Sequence, residues 1–251
     1  MGAENLLLET CLLAGKIMME SGSEVYRVED TMNRIALSGG RTDSVSYVTA
    51  TGIFISLKGT HQTQIENVGE RSINLEKIVA VNQLSRDFAA KKINLNELSQ
   101  SLKGIDAKYM NFPLWLQTLS AGIVSSTLMY IFGGTWFDFL ATFVIGCLGY
   151  LLKHYAHGYL KITFLDYFIA SLGIGIFAIL AVNFNLAQSV DHLIIGSVMP
   201  LVPGVAITTS FRDVLAGHMI SGLVRGTEAI IVAIAIGVGI ATALMTLGGL
   251  I

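Results

Sequence analysis

What this 251-residue chain has least of is charge. Asp, Glu, Lys and Arg make up 14% of it, against 53% hydrophobic residues, too few charges for an ordinary soluble domain of this size. There is no long basic run or aromatic-interleaved cationic patch, and the net charge is −2, so no electrostatic footprint for nucleic acid exists. The only cysteines, Cys11 and Cys147, lack the spacing of a metal site or redox pair and read as reduced, buried small hydrophobes. No two histidines stand at ligand spacing beside a carboxylate, which argues against a metal. Phosphate-binding loops, zinc motifs and nucleophile elbows are all missing, so no cofactor is implied and nucleotide-driven work has no motif to support it. No paired His/Glu or Ser/His constellation supports an intramembrane enzyme, and none is expected. Glu4 and Glu9 flank Leu6-Leu7-Leu8, which denies the N-terminus the basic flank and long apolar core of a signal peptide.

The charges that are present crowd into one half. Residues 1–111 hold 12 Lys and Arg and 13 Asp and Glu, whereas residues 112–251 hold 4 and 5. The expected organisation is a membrane protein, mainly α: a small cytoplasmic α+β domain at 1–111, then a transmembrane domain of about five helices at 112–251. A spanning helix needs about 20 mainly apolar residues, and five stretches qualify: Leu114–Phe132, Phe137–Tyr155, Thr163–Val182, His192–Ser210 and Gly226–Leu247. The cations of this half, Lys153, Lys161, Arg212 and Arg225, all fall in alternate connections. That places them with the N-terminal domain in the cytoplasm and the C-terminus outside. Trp115 and Trp136 fall at span boundaries, as interface anchors do. Small residues four apart, such as Ser171 with Gly175 and Ala235 with Gly239, let helix backbones approach closely and imply a bundle.

In the charged half, apolar residues from Leu6 to Met19 recur at helical spacing. A second helix then opens with Ser21 and Glu24 as a capping box and Val25, Val28, Met32 and Ile35 as its buried stripe. Val45–Leu57 reads as one strand and Gln62–Val68 as another, with helices over Leu75–Ala90 and Leu95–Ile105. Glu24, Arg27, Glu29 and Asp30 form a charged run whose default reading is a solvated face.

Proline occurs three times, and two of the three fall together in Met199-Pro200-Leu201-Val202-Pro203-Gly204, near the middle of the fourth span. Proline removes a backbone donor and clashes with the preceding turn, so this helix is expected to break. Irregular backbone at that depth is tolerated where protein or a watery cavity satisfies it, and transporters use such breaks to aim helix ends at substrates. Thr208, Thr209 and Ser210 follow as candidate donors. Arg212 and Arg225 are read either as topology anchors or as contacts for a substrate carboxylate, with Asp213 a partner for Arg225 across the hairpin. Glu228 lies deeper and suits proton coupling, gating or a structural ion pair. Asp138, Asp166 and Asp191 are expected at solvated helix ends.

Two stretches resemble the threonine/serine exporter family. Ala14-Gly15, Ser21-Gly22-Ser23-Glu24 and Arg27-Val28-Glu29-Asp30 are similar to its opening motif. Leu201-Val202-Pro203-Gly204, Arg212-Asp213, Gly217, Ser221-Gly222 and Arg225 are similar to its second signature. The resemblance implies export of small hydrophilic metabolites, threonine- and serine-type amino acids or succinate-like dicarboxylates. It brings Ser221 and the run of Glu24, Arg27, Glu29 and Asp30 into the candidate site. It also implies the N-terminal-half subunit of the split, two-protein form, which joins a separate small multi-span membrane partner in a hetero-oligomer within the lipid bilayer. The rival reading is a membrane-anchored scaffold or sensor, for which a broken span has no use.

Overall fold

In a computed structural model the described residues are 3–58, 63–69, 71–107, 112–160 and 164–248. They form two compact units, one of Met1–Met110 with Val205–Gly226, the other of Asn111–Gly204 with Thr227–Ile251. The first unit therefore draws in a segment that the sequence places among the spans.

The first unit is built around α1 (Ala3–Glu20), whose Leu8, Cys11, Ile17, Met18 and Met19 are all fully buried. Apolar side chains on nearly every face make it a core helix rather than an amphipathic surface one. Burial alone pushes the Cys11 thiol up to about 12, so it stays a protonated small hydrophobe. The helix closes on Gly22, at φ +86°, where Ser23 N–H returns to the Met18 carbonyl at 3.0 Å. That left-handed residue suits glycine because a Cβ would strain it.

Helix α2 (Val25–Ser38) buries Val25, Val28, Met32 and Ile35 as its spacing predicts, and ends before Gly39-Gly40. Its expected capping box does not form. Glu24 is the N-cap residue and makes no side-chain cap bond, because Ser21 N–H already helps close α1 by bonding the Ile17 carbonyl.

The single strand expected over Val45–Leu57 is two strands, β1 (Ser44–Val48) and β2 (Gly52–Leu57), joined by a tight turn. Thr49 makes the turn: its hydroxyl accepts the Gly52 N–H at 3.0 Å and its N–H donates to the Gly52 carbonyl at 2.8 Å. Such a hydroxyl turn carries a weak sequence signal, and the β-branched residues around it hide the reversal. With β3 (Thr63–Asn67) the sheet is antiparallel in the order β1-β2-β3, and Ile53, Ile55 and Leu57 of β2 point into the core. Helices α3 (Leu75–Ala89) and α4 (Leu95–Ala107) complete the unit. Asn94 and Glu97 form a reciprocal capping box at the start of α4.

The second unit holds α5 (Leu114–Ile131), α6 (Trp136–Leu160), α7 (Leu165–Asn183), α8 (Val190–Val198) with a 3₁₀ turn at Met199–Leu201, and residues 227–247 of α10 (Met219–Leu247). Helix α9 (Gly204–Leu215) begins at its edge. Its core is aliphatic and small, with Ala170, Ile174, Ala178 and Leu193 fully buried, while large residues such as Trp136, Leu140, Ile230 and Ile234 face outward. Apolar side chains on the outside in such numbers need an apolar surround. Among the described residues, four helices are long and apolar enough to cross a membrane, and a fifth span arises if α8 and α9 with the turn between them count as one.

Helices α7 and α10 touch through the small residues that the spacing singled out. A Cβ on Gly239 would come within 2.1 Å of Ser171 Oγ and 2.7 Å of the Phe168 carbonyl, and one on Gly175 within 2.5 Å of Ala243. Close backbone approach of this kind replaces the hydrophobic force that lipid cannot supply.

Two carboxylates expected at solvated helix ends are buried. Asp138 accepts the Gln188 N–H at 2.6 Å and the Thr135 hydroxyl at 3.0 Å. Asp166 lies 3.2 Å from His157 Nδ1 and accepts the Tyr167 N–H at 3.0 Å. Each sits in the first turn of its helix, where the dipole favours negative charge. Asp138→Ala would remove the acceptor of both the Gln188 N–H and the Thr135 hydroxyl, costing about 0.5–1.5 kcal/mol for each hydrogen bond. Thermal unfolding of the detergent-purified variant checks this, and an unshifted midpoint would refute it.

Candidate functional site

The most polar buried place in the first unit is where its two chain segments meet. Helices α9 and α10 are joined by a hairpin at Ala216-Gly217-His218, closed by the His218 N–H bonding the Asp213 carbonyl at 2.8 Å, with Gly217 at φ +90°. The hairpin legs lie close because of small residues. A Cβ on Gly222 would fall 2.5 Å from Val214 and 2.8 Å from the Ser210 carbonyl, and the Ser210 hydroxyl donates to the Gly222 carbonyl at 2.7 Å. That approach sets Asp213 and Arg225 face to face, with Arg225 Nη1 3.3 Å from Asp213 Oδ2. The pair expected from the sequence is thus present, and it is dry, Asp213 being fully buried and Arg225 5% exposed.

Both members reach to the start of α2. Asp213 Oδ1 accepts the Val25 N–H at 3.0 Å, so a carboxylate 188 residues away does what the missing capping box does not. Arg225 Nη2 donates to the Ser23 carbonyl at 2.9 Å and lies 3.7 Å from Met19 Sδ. A negative charge on the first N–H groups of α2, and a positive one on the carbonyl just before it, match the polarity of that helix end. Asp213 and Arg225 therefore latch the α9–α10 hairpin to the α1–α2 turn.

A second, wetter layer lies beside it. Glu24 Oε1 accepts from Arg212 Nη1 at 2.8 Å, while its Oε2 lies 3.2 Å from Arg27 Nε. Burial alone would raise the Glu24 carboxyl, but its own backbone N–H, the Arg212 hydrogen bond and the Arg27 charge outweigh that and hold it below the ordinary carboxylate value. Glu29 accepts the Val48 N–H at 3.1 Å through Oε1 and has His218 Nε2 3.8 Å from Oε2.

A carboxyl lowered in the folded state adds stability that is complete above its unfolded value and is lost as pH falls through the folded value. Arg212 is 64% exposed, so the contribution stays below about 1 kcal/mol. Glu24→Gln is expected to lower stability at neutral pH by less than about 1 kcal/mol and to leave the acid end nearly unchanged, so that the acid limb of a stability-versus-pH curve flattens. Parallel acid limbs for variant and wild type would exclude the role.

Of the residues singled out from sequence, Glu24, Arg27, Glu29, Ser210, Arg212, Asp213, Ser221 and Arg225 belong to this unit. All but Ser221 enter the contacts just described, and Ser221 is buried in the first turn of α10. Asp30 pairs instead with Arg34 at 2.6 Å. Thr208 donates to the Val205 carbonyl within α9. Pro200, Pro203, Gly204 and Glu228 lie in the other unit. There the helix stops as expected: α8 gives way to the 3₁₀ turn, and Val202 is extended at φ −65°, ψ 128° before Pro203. Sequence reasoning missed the Val25 N–H, the Ser23 carbonyl and Met19, because backbone groups and a core methionine carry no motif. His218 belongs to no motif either.

The family model described as “Putative threonine/serine exporter” matches residues 9–247. The chain belongs to the threonine/serine exporter family. With four apolar helices or five among the described residues, it is a multi-pass membrane protein. It is 24% identical over 244 residues to the “Probable threonine/serine exporter” of Mycobacterium tuberculosis, covering 93% of this chain and 45% of that protein. It is 22% identical to the “Probable succinate transporter subunit YjjP” of Klebsiella aerogenes, over 96% of this chain and 93% of that one. The protein of the same name from Escherichia coli is also 22% identical, over 95% and 93%. The chain thus spans less than half of the mycobacterial relative and nearly all of the two enterobacterial ones. No solved structure matches it. The two stretches that resemble this family in sequence are the two that the latch joins.

Proposed function

We propose that this chain is one subunit of a secondary transporter that exports small hydrophilic metabolites, threonine- or serine-type amino acids or succinate-like dicarboxylates, across the cytoplasmic membrane. A separate small multi-span subunit completes it. The N-terminal unit lies in the cytoplasm and the C-terminus outside, as the placement of Lys and Arg favours. Support for the subunit reading comes from the two relatives named as transporter subunits, which the chain matches over 93% of their length.

One observation carries the transport reading: an apolar helix interrupted at Met199–Pro203 and resumed at Gly204. Broken helices are kept in lipid where the loosened backbone serves a polar solute. In this mechanism Pro200, Pro203 and Gly204 form the break, with Thr208 and Ser210 following on α9, and Glu228 gates from α10. Arg212, Asp213, Ser221 and Arg225, with Glu24, Arg27, Glu29 and Asp30, tie α9 and α10 to the N-terminal unit. Arg225 already has its donors on Ser23 and Asp213, so holding the hairpin suits it better than holding a substrate carboxylate.

The test is counterflow in liposomes holding the chain with its partner, loaded in turn with threonine, serine and succinate. Accelerated exchange of at least one is expected. Leak-level exchange of all three, with both proteins inserted, would leave only the anchor reading.

A further inference from the structure

Along one side of α2 run Arg27, Asp30 and Arg34, at steps of three and four residues, and across from them on α3 lie Asn82, Gln83 and Arg86. Together they line a groove of about 420 Å³, within the usual range for small-molecule sites. We propose that this groove binds small dianions, molecules carrying two carboxylates or one phosphate, and that occupancy is felt at Glu24. The inference does not depend on the transport reading.

Three guanidiniums face one carboxylate there, a formal excess of two positive charges. Asp30 answers Arg34 at 2.6 Å, and Glu24, outside the groove, answers Arg27 at 3.2 Å. The Arg86 side chain has no ion pair or hydrogen bond among the described residues. Guanidinium forks match the paired oxygens of carboxylate and phosphate, and three around one groove exceed what a single carboxylate group needs.

The floor between the helices is fixed. The Thr31 hydroxyl donates to Asn82 Oδ1 at 3.2 Å, and Asn82 Nδ2 donates to the Ile78 carbonyl at 3.0 Å. The arginines therefore stand on a held frame, and pre-set donors bind with less ordering cost. Val79, the one large apolar residue in the lining, is 67% exposed, so the groove suits a polar ligand.

Arg27 links the groove to the latch. Glu24 divides its oxygens between Arg27 and Arg212. A dianion that draws Arg27 toward itself removes one of the two cations on Glu24 and leaves Arg212 as its remaining partner.

The experiment is isothermal titration of the full chain in neutral phosphatidylcholine nanodiscs at low salt, using succinate, inorganic phosphate and, as a monoanion control, acetate. Saturable binding of succinate or phosphate is expected, with acetate at least about tenfold weaker. Arg34→Gln and Arg86→Gln should each weaken binding by about tenfold, and Val79→Glu, which adds a carboxylate at an exposed position, should abolish it. Circular dichroism verifies that each variant is folded. No saturation with either dianion, or equal affinity in wild type and the folded variants, would overturn the proposal. So would binding that appears only with anionic phospholipid in the disc and is not competed by free phosphate, since the occupant would then be a lipid headgroup.

Discussion

Asp213→Ala is expected to lower the unfolding midpoint of the purified protein more than any exposed ion-pair variant, because it takes a buried carboxylate away from a buried guanidinium. Removing one member of a buried pair typically costs about 3–5 kcal/mol, whereas an exposed bridge is worth less than about 1 kcal/mol. Here Arg225 would keep the Ser23 carbonyl and Met19 but lose the Asp213 carboxylate, and the Val25 N–H would lose its acceptor. Arg225→Met should be comparably severe, since it leaves the fully buried Asp213 carboxylate without a cation. The double variant, Asp213→Ala with Arg225→Met, is expected to be less destabilised than the sum of the two, because no charge is then left alone in a dry site. Asp213→Asn is the control that keeps an oxygen for Val25 while removing the charge. Thermal unfolding in detergent, followed by tryptophan fluorescence and circular dichroism, measures all four. Midpoints within about 2 °C of wild type for both single variants would mean that the latch contributes nothing to stability.

Much of the fold was legible because the signals are periodic and local. The stripe of Val25, Val28, Met32 and Ile35 is buried as its spacing requires, and the small residues on α7 and α10 meet where four-residue spacing put them. The reversal at Thr49 was not legible, since a hydroxyl-closed turn flanked by valine and threonine looks like uninterrupted strand. The buried Asp138 and Asp166 were read as solvated for a related reason. Position near a helix end says nothing of what packs over it, and their partners, the Gln188 and Tyr167 N–H groups, are invisible to any side-chain pattern.

The candidate site was legible in its parts and not in its assembly. Asp213 and Arg225 lie 12 residues apart on one hairpin, so the chain's own geometry suggests that pairing. Nothing in the sequence says that the pair closes on the α1–α2 turn, because a contact across 188 residues has no periodicity. The missing cap on α2 could have been a clue. A helix whose N-cap residue, Glu24, turns to Arg212 and Arg27 leaves its first N–H groups in need of another acceptor.

Pro203→Ala is expected to have the opposite signature to Asp213→Ala, with flux lost and stability kept. Val202 is extended because the residue before proline is pushed out of the helical region, and Pro203 itself has no N–H to return to the preceding turn. Alanine removes both constraints. Residue 203 can then donate to the Met199 carbonyl and Val202 can turn helical, so the gap between the 3₁₀ turn and α9 can close. The helix already breaks at Pro203, so the substitution relieves no helix-interior proline and the variant should unfold near the wild-type temperature. If the break positions a solute, as proposed, closing it should slow counterflow by on the order of tenfold or more, since each 1.4 kcal/mol of lost transition-state stabilisation is a factor of ten. Pro200→Ala should act more weakly, because Pro200 lies in the first turn of the 3₁₀ segment, where its missing N–H and fixed φ are tolerated. A Pro203→Ala protein that exchanges solute at the wild-type rate would show that the interruption has no part in transport, and the motif around Gly204 would then be structural.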